Sequence, residues 1–251
     1  MSARAAGTDL GDPVDENYTS LTGTSMATPH VTGVAALVAQ AHPDWKAVQL
    51  KARLISTADA QGAGVTEEGA GRVDADQATA PDVTVDAGEL ELGMLAWPHP
   101  AKDETRKLTY HNPTTAPVTL KLAASISPAE ATPKLSATTL TVPANGDVSV
   151  TVTVDRAAAG NGTFSGRITA TATAAGADPI VTTFGWYAEP ERYTVTVEGI
   201  TKDGLPSNDE LNLARVDGPP PDVPAENLFL NNGTTTLRVP PGRYVVTSAF
   251  Q

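Results

Sequence analysis

The stretch Gly23-Thr24-Ser25-Met26-Ala27-Thr28-Pro29-His30-Val31-Thr32-Gly33 places a serine hydroxyl at the start of a long apolar segment. Thr24 is of a residue type that caps helix N-termini, so the sequence predicts a helix that begins at Ser25. Residues 26–43 contain no Lys, Arg, Asp or Glu, and a helix that is apolar on all sides is buried in a protein core or in a membrane. Pro29 and several polar residues interrupt the segment, which favours a buried core helix.

A hydroxyl at this position would lie beside backbone N–H groups that the first helical turn leaves unpaired. The positive end of the helix dipole lies at the same place. These donors suit a negatively charged oxygen that develops in a transition state.

The string resembles the nucleophile segment of the subtilisin-like serine proteases, the subtilases (peptidase S8), and Gly71-Arg72-Val73-Asp74-Ala75-Asp76-Gln77-Ala78 resembles the segment that closes their catalytic domain. The resemblance implies that residues 1–80 form the C-terminal third of an α/β catalytic domain. It also implies that Ser25 is the nucleophile of a serine endopeptidase acting on proteins or peptides through an acyl-enzyme. The backbone N–H of Ser25 would then be one donor of the oxyanion hole.

In subtilases the triad Asp and His precede the Ser in chain order. Neither the Asp-containing strand nor the His-bearing helix of the family occurs in this sequence, so we expect both upstream and expect these 251 residues to be inactive alone. His30 lies five residues past Ser25, which turns it about 140° away on the helix. We interpret His30, His42, His99 and His111 as structural or surface residues.

The segment before the helix is acidic, with Asp9, Asp12, Asp15 and Glu16. We interpret Met1 to Thr22 as a strand end and a solvated loop, with a metal site as the alternative. We expect no cofactor in this chain. The family resemblance implies that any calcium site lies upstream.

A second helix is predicted from Trp45 to Ala58, with Asp44 as its N-cap. Its apolar face carries Ala47, Leu50, Leu54 and Ala58, and Lys46, Lys51 and Arg53 are expected to cover the remainder.

After Pro81 the pattern changes to alternating apolar and polar residues, which is typical of half-buried antiparallel strands. The alternating positions are Leu108 and Tyr110; Val118, Leu120 and Leu122; Val148, Val150, Val152 and Val154; and Phe164, Ile168 and Ala170, followed by a strand from Ile180 to Trp186. Residues 81–190 are predicted to form a sandwich that resembles fibronectin-III or immunoglobulin-like domains. Residues 191–251 contain Pro240-Pro241-Gly242-Arg243-Tyr244 and resemble a small transthyretin-like (prealbumin-like) or carboxypeptidase-regulatory-like β domain, which we expect to be truncated. Within it, residues 218–224 are Pro-rich and Asn232-Gly233 is predicted to form a turn.

The composition limits the range of partners. The chain carries 17 basic and 29 acidic residues, a formal charge of −12, which argues against nucleic acid and anionic membranes. It has no cysteine, and Met1 to Leu10 lacks the apolar core of a signal peptide. No membrane span is predicted, and the oligomeric state stays open. The family resemblance implies a secreted or wall-associated bacterial protein.

Two alternatives to the protease interpretation stay open at this point. In one, the subtilase segment is a relic and the β domains make a non-catalytic extracellular binding or structural protein. In the other, a separate chain supplies the Asp and His in trans.

Overall fold

The computed structural model describes residues 2–5, 7–8, 11–100, 103–127, 132–157, 160–217 and 226–248. Helices occur within the first 80 residues, and strands dominate the rest. The chain forms two compact units, one of residues 1–93, 102–159 and 164–186, the other of residues 94–101, 160–163 and 187–251. The boundaries predicted near residues 80 and 190 stay predictions.

The first 22 residues contain three short antiparallel strands, β1 (Ser2–Ala3), β2 (Asp12–Pro13) and β3 (Tyr18–Ser20), in the order β1-β3-β2. The Asp15 carboxylate accepts hydrogen bonds from the backbone N–H groups of Asn17 (2.7 Å) and Tyr18 (2.9 Å). Asp15 therefore closes the turn into β3. Within the described residues, no three His, Cys, Asp or Glu side chains are placed to share a metal ion, and Asp9 lies outside those residues.

Helix α1 (Thr24–Ala41) begins one residue before the predicted start. The prediction of Thr24 as N-cap is wrong, because Gly23 occupies that position and Thr24 already lies in the helix. Gly23 has φ 152° and ψ 164°, a backbone conformation that glycine adopts far more readily than other residues. Pro29 lies inside the helix as expected.

One side of α1 is buried and another is exposed. Val34 and Val38 form a core cluster with Ala78, and the partly buried Trp45, Leu50, Leu54 and Val73 pack against this cluster. Val31 and Leu37 are 41% and 49% exposed. The core helix expected from the sequence is therefore buried on one side only among the described residues. No helix among the described residues is long and apolar enough to cross a membrane.

Helix α2 (Ala47–Ser56) starts two residues later than predicted, with Lys46 rather than Asp44 at the N-cap. The side-chain oxygen of Gln49 accepts the backbone N–H of Lys46 at 2.8 Å, which satisfies a donor that the helix leaves unpaired. The expectation that Arg53 covers an exposed face is also wrong, because Arg53 is only 2% exposed. Two short helices follow, α3 (Val65–Glu68) and α4 (Ala75–Thr79), and the Asp74 side chain caps α4 by accepting the N–H of Gln77 at 2.9 Å.

Among the described residues, nine strands follow in two antiparallel sheets, which we call the two-sheet region. One sheet has the order β4-β6-β10-β8 and the other β5-β12-β11-β7-β9. The strands are β4 (Thr84–Val85), β5 (Glu89–Leu95), β6 (Glu104–Asn112), β7 (Val118–Ser127), β8 (Lys134–Leu135), β9 (Thr139–Val142), β10 (Gly146–Val154), β11 (Gly162–Ala172) and β12 (Ile180–Ala188). The predicted inward positions are mostly buried, including Leu108, Leu120, Val152 and Ile168. The β-rich architecture is confirmed, and the fibronectin-III or immunoglobulin-like topology stays a prediction.

The second unit contains a two-stranded sheet, β13-β16, and a three-stranded sheet, β15-β14-β17. The strands are β13 (Tyr193–Glu198), β14 (Glu210–Arg215), β15 (Glu226–Phe229), β16 (Thr234–Val239) and β17 (Tyr244–Ser248). Asn232 and Gly233, predicted as a turn, have φ of 53° and 82°. The transthyretin-like or carboxypeptidase-regulatory-like fold stays a prediction, and the Pro-rich stretch 218–224 lies outside the described residues.

Candidate active site

Ser25 lies in the first turn of α1 and is exposed to solvent. Among the described residues, no group hydrogen-bonds its hydroxyl. A serine in this position can approach a bound molecule without first breaking a contact within the chain.

The backbone around Ser25 leaves a donor facing outward from the helix start. The first hydrogen bonds of α1 run from the N–H groups of Met26 (3.0 Å) and Ala27 (3.1 Å) to the carbonyl of Gly23. The N–H of Ser25 precedes them and has no backbone acceptor within the described part of the chain. This donor is suited to hold a negatively charged oxygen formed next to the Ser25 hydroxyl.

A cavity of about 350 Å³ lies beside Ser25. Its walls come from the first turns of α1 and from the strands at the N-terminal end of the chain. The lining residues are Ala3, Arg4, Ala5, Thr8, Thr19, Leu21, Ser25, Met26, Pro29 and His30. Five of these ten side chains are apolar, so part of the cavity wall is suited to an apolar group next to the serine.

The sequence did not indicate that residues 3–5 and Thr8 line this cavity. Strand β1 pairs with β3, with Ser2 opposite Thr19 and Ala3 opposite Tyr18. The backbone N–H of Arg4 also donates to the carbonyl of Asn17 at 2.7 Å. A two-residue strand has no recognisable period, so only the pairing reveals this wall.

His30 lines the same cavity as Ser25, but it is hydrogen-bonded within its own helix. Its Nδ1–H donates to the carbonyl of Met26 at 2.7 Å. This bond holds the ring along α1, and no hydrogen bond joins the ring to Ser25 in the described structure.

The other three histidines have partners elsewhere. The ring of His42 stacks on Trp45 with centroids 3.9 Å apart, and burial, with a smaller contribution from Arg53, lowers the pKa of His42. His99 Nε2–H donates to the carbonyl of Glu189 at 2.8 Å. His111 Nδ1 bonds the Asp147 carboxylate at 2.6 Å. The described structure therefore brings none of the four histidines into hydrogen-bonding contact with Ser25.

The segment that contains Ser25 is similar to known proteins. The model of the Subtilase family matches residues 2–86. Subtilisin-like protease SBT1.3 of Arabidopsis thaliana is 39% identical over 94 residues, which is 32% of this chain and 12% of that protein. Alkaline elastase YaB of Bacillus sp. (strain YaB) is 53% identical over 62 residues, 25% of this chain and 16% of that protein. Subtilisin BL of Lederbergia lenta is 52% identical over 62 residues, 25% of this chain and 23% of that protein.

Similarity to solved structures is weak. The PapD-like domain of human CEP192 gives a TM-score of 0.35 at 11% identity, over 45% of this chain and 89% of that domain. This similarity does not assign a fold to the strands.

The matched segment contains Ser25 in the first turn of α1. The match of residues 2–86 to the Subtilase family model confirms the resemblance drawn from Gly23–Gly33 and Gly71–Ala78. The chain spans between 12% and 23% of the length of these three relatives.

Proposed function

We propose that Ser25 is the nucleophile of a subtilisin-like serine endopeptidase to which this chain contributes the nucleophile segment. The observation that carries the proposal is the position of Ser25. It is exposed in the first turn of α1, beside a cavity, and its N–H precedes the first helical hydrogen bond.

In this proposal the Ser25 hydroxyl attacks the carbonyl carbon of a substrate peptide bond. The hydroxyl proton passes to a histidine, and the tetrahedral oxyanion accepts a hydrogen bond from the Ser25 backbone N–H. The tetrahedral intermediate then expels the amine, which takes up the proton, and leaves an acyl-enzyme that water hydrolyses. The substrates are proteins or peptides, and the site of action is outside the cell or at its wall.

The general base and the acid that orients it are assigned to residues outside these 251. Each histidine of the chain has a hydrogen bond or stacking contact away from Ser25. An unassisted serine hydroxyl is a weak nucleophile at neutral pH, so the 251 residues alone should be inactive.

Labelling with a biotinylated fluorophosphonate tests the proposal. The protein is purified from its native source, labelled at pH 8 and digested, and the adduct is located by mass spectrometry. The expected adduct is on Ser25. Ser25→Ala, made in the native gene, should abolish the label without unfolding the protein, because Ser25 is exposed.

Ser20→Ala is the matched control, since Ser20 is exposed and lies at the end of β3, five positions before Ser25. It should keep the label. A folded native protein that takes no label, or that is labelled equally in the Ser25→Ala variant, would overturn the proposal.

A further inference from the structure

Residues 1–80 and the two-sheet region are joined by more than the chain between them. Residues 1–80 and most of the two-sheet region lie within the same compact unit. Two sets of contacts connect them directly, centred on Gly88 and Arg167, and a third, centred on Arg53, holds α2 to the segment that leads into β4. In each set, a backbone atom on one side of the contact meets a residue on the other side, whereas a surface contact between long side chains involves no backbone.

Arg53 reaches from α2 into the connecting segment. Its Nε donates to the carbonyl of Ala78 (3.0 Å) and its Nη1 to the carbonyl of Val83 (3.3 Å). Nη2 lies 2.7 Å from each of three oxygens, namely the carbonyls of Gln77 and Ala80 and the carboxylate of Asp82. A charged side chain that is only 2% exposed requires such partners, and here they lie at the end of α4 and just before β4.

Ala78 extends this connection to the helix that carries Ser25. It is fully buried and packs with Val34 and Val38 of α1. A continuous set of contacts therefore runs from Val83, through Arg53 and Ala78, to α1.

At Gly88 the backbone of the two-sheet region packs directly against α2. A Cβ at this position would lie 2.6 Å from Cβ of Ile55 and 2.9 Å from the carbonyl of Ala52. The carbonyl of Gly88 also accepts the N–H of Thr183 in β12 at 2.9 Å. Only a residue without a side chain allows α2 and β12 to contact this backbone at the same time.

Arg167 makes the third connection, from β11 to the loop around α3. Its Nη2 donates to the Glu68 carboxylate (2.7 Å) and to the carbonyl of Gly69 (3.1 Å). The two charged side chains are 18% and 12% exposed, so solvent screens this pair less than a surface pair.

We propose that the two-sheet region is a docked partner of the nucleophile segment and that the two unfold as one cooperative unit. The docking surface consists of Val83, Gly88 and Arg167 on one side and of α2 and the α3 loop on the other. In this arrangement the strands stabilise the helices that hold Ser25. The inference does not depend on whether Ser25 reacts, because it concerns folding.

Hydrogen exchange of the full chain tests this coupling. Val152 is buried in β10, and Val152→Ala should open a cavity in the two-sheet region alone. Amide exchange in β10 should become about tenfold faster. If the parts unfold together, amides of α2 should accelerate by the same factor. An unchanged rate in α2 would overturn the inference.

If the Val152 variant does not fold, the wild-type chain answers the same question. Amide exchange measured across a urea series should report the same midpoint urea concentration of unfolding for α2 and for β10. Two separate midpoints would contradict a single unit.

A variant of the contact itself provides a second test. Gly88→Ala should force α2 away from β12 and separate the two midpoints. Gly33→Ala is the matched control, because a Cβ there meets no atom within 4 Å, and it should leave the midpoint common to both parts. A common midpoint in a folded Gly88→Ala protein would show that this contact does not couple them.

Discussion

Replacement of Arg53 by Met should destabilise the chain strongly, although Arg53 lies on a helix among other basic residues. Met keeps most of the apolar stem of the side chain but donates no hydrogen bond. The carbonyls of Ala78 and Val83 then lose donors in a buried environment, at a cost of about 1–3 kcal/mol each. The acceptors at Gln77, Ala80 and Asp82 lie closer to solvent and should regain hydrogen bonds from water. The expected total is therefore about 3–5 kcal/mol.

Urea unfolding followed by far-UV circular dichroism measures this loss, with the slope of the transition compared between variants. Arg72→Met is the matched control. Arg72 makes an ion pair with Asp59 at 3.0 Å, but its side chain is 69% exposed, so its loss should cost less than about 1 kcal/mol. If Arg53→Met were no more harmful than Arg72→Met, the proposed role of Arg53 as a buried connector would be refuted.

The remaining predictions concern one ion pair and one glycine. Hydrogen bonds from the Arg238 side chain, and to a smaller extent from the backbone N–H of Trp97, lower the pKa of Glu189. The ionised carboxylate therefore stabilises the folded protein at neutral pH. This stabilisation is lost as the pH falls below about 4.3, the usual pKa of a glutamate, and through the lowered pKa of Glu189. Glu189→Gln should therefore show a smaller shift of the urea midpoint between pH 7 and pH 3 than the wild type, and equal shifts would contradict this. Gly71→Ala should cost about 3 kcal/mol, because φ is +127° and a Cβ would lie 2.3 Å from the carbonyl oxygen of Asp59. Gly69→Ala, at φ +63° with no atom within 4 Å of the new Cβ, should cost only about 1 kcal/mol in the same urea assay, and equal costs would show that the close contact is unimportant.

Local patterns in the sequence predicted several elements well. The start of the helix after Gly23 was predicted to within one residue, because a capping residue type precedes a long uncharged run. The alternation at Val150, Val152 and Val154 correctly predicted the inward face of β10. The Asn232-Gly233 turn was also correct, since these residue types favour the positive φ that the turn requires.

Features that depend on distant residues could not be predicted in this way. Arg53 follows the pattern of an exposed helical residue, and its acceptors lie 24 to 30 positions later in the chain. Gly88 shows no local signal for its packing against α2. The caps at Gly23 and Lys46 were missed because Thr24 and Asp44 are better capping types, whereas the backbone conformation and the Gln49 side chain determine the actual positions.

The site itself could be predicted only in part. The motif located Ser25 at the start of α1, but no periodic pattern showed that residues 3–5 and Thr8 form a wall of the cavity beside it. The contacts of His30 and His42 likewise depend on the ring orientations, which the sequence does not specify.

The identity of the residue modified by a fluorophosphonate in the native protein tests the central claim most directly. The account predicts a single adduct on Ser25, which is retained in Ser20→Ala and lost in a folded Ser25→Ala protein. An adduct on a different serine, or none in an intact protein, would contradict the assignment of Ser25 as the nucleophile.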